Sequence, residues 1–210
     1  MPGEILTSKK SKTSSSWGAA ALAAIAVIVL TALFMHGMKM IGTLAVWWSD
    51  STHFDHEITL AAKRHGIPPE LVKALILRES RYRPRAVGKS GEIGLMQLIP
   101  PGRPGAVSEW MRVNKRPAPS AKELFQVPLN LEIGCWYLGR AYRKWSSYRC
   151  RTELALAEYN AGATRSTRWK PDDINGDVIR RIDIASTVNY VTFIMEHYQR
   201  YLREKHKKNQ

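Results

Sequence analysis

The chain has 210 residues, 44% of them hydrophobic, which is room for one domain with its own core plus a short extra segment and excludes a chain disordered throughout. Its 32 lysines and arginines outweigh 18 acids for a formal charge of +14, so an anionic partner is expected: a wall polymer, phospholipid headgroups or nucleic acid. Two cysteines in 210 residues exclude a disulfide-built scaffold.

Residues 17–35 carry no charge and as a helix would span roughly 28 Å at about 1.5 Å per residue, the depth of a bilayer core. Lys9, Lys10 and Lys12 precede this run and the next positive residue is Lys39, so the positive-inside bias leaves the N-terminus in the cytoplasm. The expected organisation is a cytoplasmic tail over 1–16, a transmembrane signal anchor over 17–36, a linker over 37–53, an exported domain over 54–204 and a basic tail over 205–210. Trp47 and Trp48 in the linker suit the headgroup region or burial against the domain. A cleaved signal peptide is the rival reading. The apolar run is long for one, and the nearest small-x-small site, Thr43-Leu44-Ala45, lies well downstream, so an uncleaved anchor is favoured. An exported domain without a nucleic-acid motif leaves nucleic acid as the weakest of the anionic partners, and none is expected.

Beyond the linker, a helix is predicted from about His53 to Arg64, ended by His65-Gly66. The next runs from Pro69, a residue suited to the first turn, to Ser80 before Pro84. Val72, Leu75, Ile76 and Glu79 stand at i, i+3, i+4 and i+7, which places one carboxylate on the face that should be buried. Glu79 also sits in the last turn, where unpaired carbonyls oppose an anion. Desolvation and dipole both push its pKa upward, towards a proton donor working near neutral pH. The plainer reading pairs it with Arg78, Arg81 or Arg83.

A polar loop over 81–92 leads to Gly91-Glu92-Ile93-Gly94-Leu95-Met96-Gln97-Leu98-Ile99-Pro100, a short buried segment whose single amide, Gln97, is expected to have a specific hydrogen-bonding task. Residues 103–120 read as irregular with a helix around 106–113. Helices follow over 130–145, with Leu131, Cys135, Leu138 and Tyr142 as a core stripe, and over 152–160. Residues 163–183 read as a loop anchored by Trp169, and the last helix covers 186–204 with Tyr190, Phe193 and Ile194 on its apolar face. Cys135 and Cys150, separated mostly by helix, are expected as separate thiols. Neither has a His or Asp at ligand or triad spacing, and the acidic loops lack EF-hand order, so no metal is expected. The whole is an all-α domain, or α with a minor β element.

Four blocks in order resemble the lysozyme-like transglycosylase domain of the soluble lytic transglycosylase family: Glu79-Ser80 with Pro84; Gly94-Leu95-Met96-Gln97-Leu98 with Pro100; Asn130-Leu131 to Gly134 with Tyr137-Leu138; and Glu158-Tyr159-Asn160-Ala161-Gly162. Thr187 with Asn189-Tyr190-Val191 is a weaker fifth. The resemblance covers roughly residues 54 to 200. It implies a bilobal helical fold behind the N-terminal transmembrane helix, with a cleft for peptidoglycan glycan strands. Glu79 matches the family's single catalytic acid, Gln97, Tyr159 and Asn160 match cleft residues, Tyr190 an aromatic near the acid, and Met96 a position shaping the wall beneath them. The implied reaction is cleavage of the β-1,4 bond between N-acetylmuramic acid and N-acetylglucosamine with a 1,6-anhydromuramoyl product, without metal or organic cofactor. The implied place is a bacterial inner membrane with the domain in the periplasm, serving wall turnover or a secretion, conjugation or envelope-assembly apparatus.

The chain departs from the family pattern at four points. Gly88 stands where a serine is usual, Gly91-Glu92 replaces Gly-Ala, Ser186-Thr187-Val188 replaces Glu-Thr-Arg, and Val127-Pro128 replaces Asp-Pro. Two alternatives stay open: a goose-type-like muramidase in which Glu92 holds the water for Glu79, and a non-catalytic wall-binding module.

Overall fold

The computed structural model describes residues 25, 27–36, 52–208 and 210. The chain divides after Ser49 into two units. In the first, residues 27–36 are helical and exposed, with the Thr31 hydroxyl donating to the carbonyls of Val27 and Ile28, both at 2.9 Å. Among the described residues no helix is long and apolar enough to cross a membrane. The expected tail over 1–16, residues 17–24 and 26 of the anchor expected over 17–36, and all of the linker expected over 37–53 except residues 52 and 53 lie outside the described residues.

The second unit is all-helical. Its elements are α1 (Asp55–Arg64), α2 (Pro69–Glu79), α3 (Ala106–Asn114), α4 (Ala121–Leu124), α5 (Val127–Lys144), α6 (Arg151–Ala161), α7 (Ala163–Trp169), a 3-10 turn (Ile179–Arg181) and α8 (Ala185–Lys208). Gly66, at φ +67°, ends α1 as expected: its N–H bonds to the Lys63 carbonyl and that of Ile67 to the Ala62 carbonyl, the paired closure that a left-handed residue permits. Pro69 opens α2. The three most extensive helix packings set α2 against α8, α5 against α6 and α6 against α8. The core between them holds Leu71, Leu75, Ile76, Leu138, Leu156, Val191 and Ile194, all fully buried.

Three elements differ from those predicted, the first two for local reasons. The expected loop over 163–183 is partly helical, because Ser166 and Trp169 gain tertiary partners: Ser166 Oγ donates to Glu158 Oε2 at 3.2 Å and Trp169 Nε1 to Asp183 Oδ1 at 2.8 Å. Helix α4, unpredicted, is opened by a capping box in which Ser120 Oγ accepts from the Glu123 N–H and Glu123 Oε2 accepts from the Ser120 N–H. The last helix runs past residue 204 to Lys208. Cys135 and Cys150 are separate, buried thiols, as expected.

Between α2 and α3 the chain forms a small knot with two isolated antiparallel bridges, Val87 with Ile93 and Ile93 with Leu98, which is the minor β element. Asn130 of α5 ties this knot down. Its Oδ1 accepts from the Met96 N–H at 2.9 Å while its Nδ2 donates to the carbonyls of Ile93 at 2.9 Å and Leu124 at 2.8 Å. Only 1% of Asn130 is exposed, so each lost bond leaves a buried backbone group without a substitute from water. Asn130→Ala is expected to lower the unfolding free energy by about 2 to 4 kcal/mol in urea titrations. An unchanged midpoint would show that the knot is held elsewhere.

Candidate active site

Glu79 is the last residue of α2, and Tyr190 of α8 reaches it from the far end of the chain: Tyr190 Oη donates to Glu79 Oε1 at 2.5 Å. Directly after the helix, Arg81 and Tyr82 both take the left-handed conformation, at φ 53° and 58°, without a glycine between them. The reversal is secured by Tyr82, which donates to the Lys73 carbonyl at 2.9 Å and meets the Tyr201 hydroxyl at 3.1 Å. Two tyrosine contacts therefore clamp the C-terminal end of α2 to α8.

Glu79 is half-buried by surface area, yet protein packs closely around its carboxyl. That desolvation is the largest influence on it and raises its pKa from 4.5 to about 7. The Tyr190 hydrogen bond and the Arg78 charge pull in the opposite direction, and the charge of Glu92 adds to the rise. Arg78 is exposed and lies over the rings of Tyr190 and Phe193, so the helix's adjacent cation stacks on aromatic faces. The contact that holds the carboxyl is the Tyr190 hydrogen bond.

A cavity of about 440 Å³ opens nearby, lined among others by Gln97, Glu109, Tyr137, Tyr159 and Asn160. Glu79 is not one of its lining residues. Tyr159 connects the two: burial, and next the charge of Glu79, push its phenol up, and its hydroxyl donates to the Met96 carbonyl at 2.8 Å. Gln97 adopts φ 47° and donates both amide hydrogens, to the carbonyls of Gly94 at 2.9 Å and Ala86 at 3.3 Å, the specific task expected of it. Asn160 is exposed at the cavity, where its Oδ1 accepts from Thr187 Oγ1 at 2.9 Å.

Met96 is placed differently from its neighbours. Its side chain is fully buried and tight against Gly134, so it supports the wall beneath Tyr159 without facing the cavity. Sequence reading missed Glu109, which pairs with Arg140 at the cavity, and the first residues of α7, which line it where a loop was expected. Among the described residues no group of three or more His, Cys, Asp or Glu side chains is placed to hold a metal.

A carboxyl whose folded pKa exceeds its unfolded value binds a proton in the folded state that the unfolded chain has already released. Stability contributed by that proton is complete below pH 4.5 and is lost as pH rises through about 7. Across this window the wild type is expected to lose on the order of 2 kcal/mol relative to Glu79→Gln, read from urea titrations at pH 4.5 and 8. Parallel pH profiles for the two chains would refute the raised pKa.

Comparison with known proteins bears on the family and the fold. The family model described as "Transglycosylase SLT domain" matches residues 57–178. Membrane-bound lytic murein transglycosylase E of Buchnera aphidicola is 34% identical over 101 residues, covering 48% of this chain and 44% of that protein. Soluble lytic murein transglycosylase of Escherichia coli is 28% identical over 128 residues, 60% of this chain but 18% of that protein. The solved structure of an inactive glutamate-to-glutamine mutant of lytic transglycosylase Slt from Pseudomonas aeruginosa superposes with a TM-score of 0.61 at 27% identity, covering 72% of this chain and 25% of that one. The chain thus spans less than half the length of these relatives. With more than half of its residues inside the matched segment, the chain belongs to the transglycosylase SLT domain family.

Proposed function

We propose that the protein is a peptidoglycan lytic transglycosylase with Glu79 as its single acid and base. The observation that carries this reading is a carboxyl with a pKa near 7, held by Tyr190 beside a cavity lined by Gln97, Tyr159 and Asn160. An acid of that pKa is protonated in a useful fraction of molecules at neutral pH and is still a competent base once it has given up its proton. The Buchnera and Escherichia coli relatives are lytic murein transglycosylases, and the lytic transglycosylase Slt of Pseudomonas aeruginosa is inactive as a glutamate-to-glutamine mutant.

In the proposed reaction, Glu79 gives its proton to the glycosidic oxygen as the bond to the muramoyl C1 breaks. The substrate's acetamido group stabilises the cationic carbon. The Glu79 carboxylate then takes the proton of the muramoyl C6 hydroxyl as O6 bonds to C1. The proton lost equals the proton gained, no water is consumed, and one carboxylate suffices where hydrolysis uses two. Gln97, Tyr159, Asn160 and Tyr190 orient the strand and the acid, with Met96 supporting them from below.

The uncharged run over 17–35 supports a place at the bacterial inner membrane with the domain in the periplasm, and the Buchnera relative is named as a membrane-bound enzyme. Wall turnover and a local opening for a secretion, conjugation or envelope-assembly apparatus both fit such an enzyme. Hydrolysis by Glu79 with Glu92 is the second reading, favoured by the charge that Glu92 exerts on Glu79.

Products separate the two. The full chain, given purified peptidoglycan, should release muropeptides with anhydromuramoyl ends, one water lighter than reducing ends. Glu79→Gln should lower the rate about a thousandfold. Reducing ends alone would establish hydrolysis, and undiminished digestion by Glu79→Gln would remove Glu79 from the chemistry.

A further inference from the structure

Gly88 and Glu92, two separate oddities in the sequence, meet in space. A Cβ built on Gly88 would lie 2.2 Å from Glu92 Oε2, 2.7 Å from Gln97 Oε1 and 3.1 Å from Glu92 Cδ. Nothing in the backbone demands glycine there, since Gly88 is not among the residues with positive φ. What demands it is the room that Glu92 occupies. The carboxylate is fixed in that room by its own loop: the Ser90 N–H donates to Glu92 Oε2 at 3.0 Å, and the Gly88 N–H donates to the Glu92 carbonyl at 2.8 Å. Gln97 contributes an oxygen to the same space. Because both its amide hydrogens go to the Ala86 and Gly94 carbonyls, Oε1 is turned away from them, over Gly88.

We propose that Gly88 and Glu92 form one unit, in which the glycine leaves a notch that seats a second acidic group beside Gln97, and that the two oxygens facing this notch take a hydrogen-bond donor, a hydroxyl or amide N–H, of the bound glycan. Two acceptors aimed at one small space favour a donor between them and disfavour another acceptor. Glu92 also lies near enough for its charge to help keep the proton on Glu79, which makes it a positioning residue for the acid as well as a contact for the strand. This role rests on the reading of Glu79 as the acid.

The test uses the full chain and four variants: Gly88→Ser, Glu92→Ala, the double exchange Gly88→Ser with Glu92→Ala, and Glu79→Gln. In Gly88→Ser the hydroxymethyl group should push Glu92 out of the notch. Both single variants should raise KM for purified glycan strands about tenfold, the loss of a hydrogen bond to a charged group. Both should move the alkaline limb of kcat to lower pH, because removing the neighbouring negative charge, or displacing it towards solvent, lets Glu79 release its proton sooner. The double exchange should behave like Glu92→Ala, with no added cost, and Gly88→Ser should lower the urea midpoint only while Glu92 is present. The proposal is overturned if the two single effects multiply in the double exchange, or if Glu92→Ala leaves both KM and the alkaline limb at their wild-type values. Digestion by Glu79→Gln would overturn the underlying assignment of the acid instead, and the urea coupling, which is independent of turnover, tells that failure from this one.

Discussion

A carboxyl kept away from water at the end of a helix is costly, and the rest of the domain is arranged to hold it there. Glu79 closes α2, and the phenol that contacts it comes from α8, so the site exists only when these two helices pack. The left-handed pair Arg81 and Tyr82 turns the chain away at once, and Tyr82 locks the turn onto Tyr201, about three helical turns along α8 from Tyr190. Desolvation outweighs the hydrogen bond and the arginine charge that favour the ionised form, which is why the proton stays near neutral pH.

The opposite wall depends on a different residue. Asn130 fixes the backbone of the knot at Met96, Met96 packs into the space left by Gly134, and the Met96 carbonyl orients Tyr159. Asn160, next in sequence, is tied by Thr187 to the same helix that carries Tyr190. Two rigid supports, α8 on one side and α5 on the other, thus converge on the cavity. Helix-borne side chains held by packed neighbours are placed more accurately than groups on free loops, which suits the proposed reaction, in which one carboxyl would serve two steps.

Much of this was legible in the sequence, and for identifiable reasons. The spacing of Val72, Leu75, Ile76 and Glu79 put the carboxylate on the buried face before any contact was known, and the amide of Gln97 stood out in an apolar run. Helix boundaries marked by Gly66 and Pro69 fell where local chemistry alone decides them. The capping box at Ser120 and Glu123 was available to be read and marks α4. Helix α7 was not readable, because Ala163–Trp169 has a polar, weakly helix-favouring composition and owes its order to Glu158 and Asp183. Nor was the pairing of Gly88 with Glu92, which is a matter of which atoms fill one small volume.

The central claim is that Glu79 holds a proton near neutral pH because of where it is buried. Carbon-13 NMR titration of the glutamate carboxyls, with Glu79 assigned by comparison with Glu79→Gln, measures this directly. The account predicts a midpoint near 7 for Glu79. A midpoint near the ordinary 4.5 would contradict it.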